Sequence, residues 1–244
     1  MLNVFIGYDP RESVAFYTLA HSILRRATIP VSIAPLMRSQ LGGLYRRERG
    51  PTESTEFSLT RFLVPKLSEY RSWSVFMDCD MLCRADIATL AVEIERQPDR
   101  AVLVCKHDYV PKTERKFLNQ IQTKYARKNW SSLMILNNER CRALTPEYVN
   151  SAPGLDLHRF AWIEDAAIGD LPSEWNWLVG EYEYNPAAKI VHFTLGGPYF
   201  EDYADGEHSD LWRAEYARMC SVGQARAAGR DAREKAVGEG FLPV

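Results

Sequence analysis

The stretch Ser74–Met81, read as S-V-F-M-D-C-D-M, constrains this chain more than any other. Val75, Phe76 and Met77 form a short apolar run that fits a buried strand of an α/β sheet. The run ends in Asp78 and Asp80, separated by Cys79. At the carboxyl end of a sheet strand, both carboxylates enter the crevice where open α/β sheets bind ligands. Aspartates this close repel each other unless a cation lies between or beside them. A hard divalent ion with oxygen ligands, Mn²⁺ or Mg²⁺, relieves that repulsion and carries a substrate's phosphates as well. Aspartate also caps helices and opens turns, and Asp86 after Ala85 reads that way. For Asp78 and Asp80 the metal–diphosphate reading is preferred, because a buried strand rarely discharges into two unpaired acids.

A chain of 244 residues, 46% hydrophobic and 25% charged, suits one globular α/β domain or two small ones and is long enough for a sizeable core. A formal net charge of -2 gives no reason to expect a nucleic-acid partner. The start, M-L-N-V-F-I-G, lacks the basic region of a secretory signal, and no apolar run reaches the length of a membrane span. Five cysteines are scattered through apolar segments without C-x-x-C pairing, which predicts a reducing, cytoplasmic setting.

In chain order, Leu2 to Ile6 reads as a central strand, followed by the punctuated turn G-Y-D-P-R-E. A helix follows with Phe16, Leu19, Ala20, Ile23 and Leu24 on one face, and then a strand through Val31 and Ile33. The first turn of this βαβ unit is where a nucleotide is expected. Tyr8 and Asp9 are there to stack on and bond a base, or Asp9 only shapes the turn. No Gly-rich phosphate loop is present, which argues against a P-loop enzyme and a dinucleotide dehydrogenase.

Arg38 to Glu56 has no periodicity and reads as a mobile surface loop. Ser58 to Leu67 returns to a helical pattern with Pro65 as a kink, and Arg61 is the cation beside its apolar residues Phe62 and Leu63, calling for an anionic partner. A short helix, Ile87 to Ile94, and a strand, Ala101 to Cys105, follow, the strand delivering Lys106, His107 and Asp108 to the crevice. The basic stretch Lys112 to Lys128 reads as a solvated face, and Leu133 to Leu136 as another strand. Glu164 and Asp165 precede Ala166-Ala167-Ile168, read as a helix start that places both acids in a first turn. The last strand, Lys189 to Phe193, contains His192 and leads into Gly196-Gly197-Pro198, where close backbone approach to a ligand is possible. Taken alone, His192 is more often a core residue than a ligand. Asp210 to Val237 reads as a solvated or packing helical tail.

These residues carry a likeness. Across about the first 200 residues, the chain resembles nucleotide-sugar-dependent glycosyltransferases of the GT-A fold, most of all the family 8 group of retaining enzymes. Asp9 after the first strand resembles that family's uracil-binding turn, and Thr60-Arg61-Phe62 its helix arginine. F-M-D-C-D-M is similar to its D-x-D element, W-S-S-L-M-I-L-N lies where it has N-x-G and a strand, and H-F-T-L-G-G-P-Y resembles its late motif. Glu164-Asp165 stands where the family has an acidic-Gln pair.

The resemblance implies a single domain over 1–200 with a Rossmann-like mixed sheet flanked by helices, and a helical tail over 201–244. Its nucleotide half would run to about residue 105 and its acceptor half over 106–200. It also implies a UDP-sugar donor, a saccharide or other hydroxyl acceptor, and Mn²⁺ held by Asp78, Asp80 and His192. Arg61, Asp108, Ser131, Gly196 and Gly197, with Tyr8 and Asp9, would contact nucleotide, phosphate or sugar. Glu164 or Asp165, Asp165 for preference, would flank the anomeric carbon.

Two other readings compete. A strand ending in D-x-D also suits a phosphatase of the haloacid dehalogenase type, whose first Asp is a covalent nucleophile. That enzyme normally starts from the first strand of its core, whereas here a βα unit comes first. The other alternative is a non-catalytic module that binds nucleotide sugars.

Overall fold

Residues 1–50, 53–113, 115, 116, 118, 120, 121 and 125–221 are described by the computed structural model. The chain opens with β1 (Leu2–Gly7), α1 (Ser13–Arg26) and β2 (Val31–Leu36), the two strands parallel as a βαβ crossover requires. After α2 (Val64–Leu67) come β3 (Trp73–Met77), β4 (Met81–Cys83), α3 (Leu90–Arg96) and β5 (Val102–Val104). A two-stranded hairpin, β6 (Arg115–Lys116) and β7 (Gln120–Ile121), separates them from β8 (Leu133–Asn137). Then follow α4 (Pro146–Ser151), α5 (Gly154–His158), β9 (Ile168–Asp170), β10 (Trp177–Leu178), β11 (Ile190–His192) and α6 (Ser209–Cys220).

The main sheet runs β2-β1-β3-β8-β5-β9, mixed because β8 is antiparallel to both β3 and β5. Its interior strands are apolar on both faces: Val75, Phe76 and Met77, Val102 to Val104, and Leu133 to Leu136 are all buried. That is the residue pattern of strands covered by helices or loops on both sides. A second sheet, β10-β11-β4, grows from the turn after β3 and has its own small core of Leu82, Val191, Phe193 and Trp212. The fold is thus the expected GT-A-type mixed sheet in one domain with a helical C-terminal region.

Three local expectations change. The segment 38–56 is pinned rather than loose in its described part: Leu41 and Tyr45 are buried, and Arg47 Nη1 donates to the carbonyls of Val149 (3.1 Å) and Ala152 (2.6 Å). Such anchors need no periodicity, so a pattern search passes over them. Pro65 is the second residue of α2 instead of a kink within a helix, in the first turn where its missing N–H costs nothing. Asp165–Ala167 is one 3₁₀ turn running straight into β9, so Glu164 and Asp165 gain no helix dipole. The C-terminal helix is seen as α6, and its predicted continuation over 222–244 lies outside the described residues. It packs on α1 through Glu215, which is buried and accepts from Arg25 Nε (2.9 Å) and Arg26 Nη2 (3.0 Å).

Candidate metal centre and cleft

The chain turns back on itself between β3 and β4, and that reversal makes the site. Asp78 N–H donates to Ser132 O at 2.9 Å, continuing the β3–β8 ladder one residue past the strand. Cys79 is buried, whereas Asp78 and Asp80 each keep a small part of their side chains open. β4 then pairs antiparallel with β11, with Met81 opposite His192, which brings the imidazole to the acids. Ligand atoms of Asp78, Asp80 and His192 lie within 4.8 Å of one another. His192 Nε2 stands 3.4 Å from Asp80 Oδ1. Two carboxylates and one imidazole are a donor set that suits a first-row divalent cation.

Arg61 answers the call for a partner. It is buried, its Nη1 lies 2.8 Å from Asp78 Oδ1 and donates to Ser131 O at 2.9 Å, and its guanidinium packs over Phe57 and Phe76. Arg61, Asp78, Asp80, Ser131 and His192 all line one cleft of about 450 Å³. Its other walls include Arg47, Tyr125, Lys128, Asn129 and His158. Ser131 Oγ bonds His158 Nδ1 at 2.8 Å, and the His158 ring meets Phe62 edge-on.

The remaining predicted residues lie elsewhere. Tyr8 packs edge-on against Phe16 and does not line the cleft. Asp9 is fully buried, and its carboxylate accepts from Arg11 N, Nε and Nη2 and from Glu56 N. Burial works to raise its pKa, but these donors more than offset that and hold it below the usual carboxylate value. The carboxylate is spent on shaping the turn. Asp108 is exposed and outside the cleft lining, while neighbouring His107 is buried against Tyr182. Gly196 and Gly197 also lie outside it: a Cβ on either would collide with the ring of Tyr203 or of Tyr199, so ring packing requires them. The structure does not bring Glu164 and Asp165 into the cleft lining either. Both are exposed, and Asp165 pairs with Arg127 Nη2 at 2.6 Å.

Glu12 escaped the sequence reading and shapes the field behind the site. It is buried, and Tyr199 Oη donates to its Oε2 at 2.6 Å. Burial first, and then the charge of Asp80, push its pKa up to about 8. Since this folded value lies above the unfolded one, the metal-free protein loses stability as pH rises from about 4.5 to about 8. Glu12→Gln is expected to flatten that slope and to stabilise the metal-free protein by a few kcal/mol at pH 8, with little effect at pH 4. Urea melts across the range check it. An unchanged slope in the variant would assign the pH dependence to another group.

No family model matches the chain. Among solved structures, the bifunctional glycosyltransferase WbbM superposes with a TM-score of 0.60 at 15% identity. The match covers 88% of this chain, which spans about half of WbbM's length (49%). The galactosyltransferase LgtC, solved with donor and acceptor sugar analogues, superposes with a TM-score of 0.57 at 10% identity, covering 92% of this chain and 98% of LgtC. At these identities the likeness is one of fold. In sequence, Protein CDI of Arabidopsis thaliana is 47% identical over 223 residues, 87% of this chain and 85% of that protein. The chain therefore belongs to the family of Protein CDI.

Proposed function

We propose that the protein is a divalent-metal-dependent glycosyltransferase that takes a hexosyl group from a UDP-sugar and passes it, with retention, to a hydroxyl of a saccharide or other acceptor. The observation that carries this reading is the cluster of Asp78, Asp80 and His192 in the floor of a cleft that also holds Arg61 and Lys128. Fold likeness to glycosyltransferases, one of them solved in complex with donor and acceptor sugar analogues, supports it. The phosphatase alternative loses its footing, since the strand carrying the acids lies third in the chain and inside a mixed sheet.

Each residue then has a part. Asp78, Asp80 and His192 would hold Mn²⁺, or Mg²⁺, which when bound neutralises charge growing on the departing diphosphate. Arg61 fixes the Asp78 carboxylate and screens it. Lys128 faces the same cleft and is the phosphate-side cation in this reading. Ser131, Tyr125 and His158 form a polar and aromatic wall of the kind that grips sugar rings. Glu164, Asp165, Asp108 and the two glycines receive no role in the reaction, because they do not line the cleft. The nucleotide half would end near residue 105, with acceptor contacts drawn from later segments. Among the described residues no helix is long and apolar enough to cross a membrane. We place the enzyme in the cytoplasm on the strength of its free, mostly buried cysteines.

The test is a panel of nucleotide sugars with Mn²⁺. One UDP-sugar is expected to be hydrolysed or transferred with release of UDP, and UDP compounds should raise the melting temperature more than ADP or GDP compounds do. Metal-dependent UDP binding without turnover on any donor would instead identify a binding module.

A further inference from the structure

Behind His192 runs a chain of hydrogen bonds whose direction is fixed at its far end. Ser132 Oγ donates to the carbonyl of Asn129 at 2.7 Å, so its oxygen remains to accept. Asn176 Nδ2 supplies that bond at 2.8 Å and also lies 3.5 Å from the same Asn129 carbonyl, which can only accept. The amide of Asn176 is thereby oriented with its NH₂ toward Ser132 and its oxygen toward the imidazole. Asn176 Oδ1 lies 2.9 Å from His192 Nδ1, and an amide oxygen accepts, so Nδ1 must carry the hydrogen. In the neutral ring, Nε2 is then a lone pair, and it faces Asp80 Oδ1 at 3.4 Å. A lone pair against a carboxylate oxygen is unfavourable unless a cation or a proton lies between them. Asn176 is fully buried and lies outside the cleft lining, so it meets the imidazole on the side away from the cleft.

We infer that Asn176, oriented by Ser132, is a positioning residue that locks His192 into the Nδ1–H tautomer and so presents Nε2 to a divalent cation. The inference rests on the metal reading given above. Without Asn176 the ring is free to place its hydrogen on Nε2 and donate to Asp80, a bond that competes directly with the cation. Asn176 comes from the 3₁₀ turn Ser173–Asn176 just before β10, and β10 pairs in parallel with β11, Leu178 opposite His192. The sheet register thus delivers the amide and the imidazole together. In metal sites generally, the group that holds a ligand histidine's other nitrogen is worth about ten- to a hundredfold in affinity.

The experiment compares wild type with Asn176→Ala, Asn176→Asp, Ser132→Ala and His192→Ala, titrating each with Mn²⁺ in a calorimeter and recording nitrogen-15 spectra of the metal-free histidine rings. Asn176→Ala is expected to weaken Mn²⁺ about ten- to a hundredfold and to shift His192 from the Nδ1–H toward the Nε2–H form. Asn176→Asp keeps an acceptor at Nδ1 and should restore both the tautomer and the affinity, a rescue that mere packing would not give. Ser132→Ala should move both readouts the same way by less, and it decides the matter should Asn176→Ala fail to fold. Weak Mn²⁺ binding in His192→Ala but wild-type affinity and tautomer in both the Asn176→Ala and Ser132→Ala proteins would overturn the role of Asn176 alone. Unchanged Mn²⁺ affinity in His192→Ala would overturn the metal reading itself.

Discussion

Asp80→Asn is expected to remove Mn²⁺-dependent UDP binding, a loss of more than about a hundredfold, while the metal-free protein folds as before. Asp80 joins Asp78 and His192 in the only three-member donor cluster among the described residues, so its charge has no local replacement. The amide keeps the shape but supplies a neutral oxygen, a far weaker donor to a hard cation. The metal-free variant should be at least as stable as wild type, because Asp78 loses a like-charged neighbour and, above about pH 8, buried Glu12 does too. Titration with UDP in the presence and absence of Mn²⁺, beside urea melts, reads both effects. A destabilised metal-free variant would show that Asp80 is a structural partner of His192 instead.

Arg61→Ala is expected to cost about 3–5 kcal/mol of folding stability, because it leaves one member of a buried pair without its counter-charge. The guanidinium lies 2.8 Å from Asp78, bonds the Ser131 carbonyl and packs over the rings of Phe57 and Phe76. Its removal takes the counter-charge from the Asp78 carboxylate and opens a cavity, and the two costs add. Combining Arg61→Ala with Asp78→Asn should recover part of the loss, since no charge is then left unpaired. Denaturant unfolding of the single and double variants measures this. Strict additivity would mean that Arg61 acts by packing alone.

Several of the strands and the inner site were legible because they rest on patterns that repeat or end abruptly. Leu2 to Gly7, Trp73 to Met77 and Leu133 to Asn137 are apolar runs bounded by polar turns, and each forms a strand of the main sheet. Asp78 and Asp80 were visible because acids directly after such a run demand an explanation. His192 was placed only through a resemblance, since nothing local tells a ligand imidazole from a core one. Its partner on the far side, Asn176, carries no sequence signal of its own. It sits between Trp175 and Trp177, and its role follows from the pairing of β10 with β11.

Other residues expected at the site lie outside the cleft lining for related physical reasons. Asp9 and Asp165 are acids with arginine partners, two residues away for Arg11 and thirty-eight for Arg127, and either pairing is compatible with a site or a turn. Gly196 and Gly197 follow a strand, where glycine often admits a ligand, yet here it admits Tyr203 and Tyr199. Glu12 was invisible because its importance lies in burial beside Asp80, a neighbour far along the chain. The anchoring of the 38–56 segment by Arg47 on main-chain carbonyls is invisible in the same way.

The central claim is that the acids at the end of β3 and the histidine at the end of β11 make one cation site that receives a nucleotide diphosphate. Calorimetric titration of the wild-type protein with UDP, first with chelator and then with Mn²⁺, tests it most directly. The account predicts no measurable binding in chelator and saturable one-to-one binding with Mn²⁺. UDP binding of equal strength under both conditions, or none under either, would contradict it.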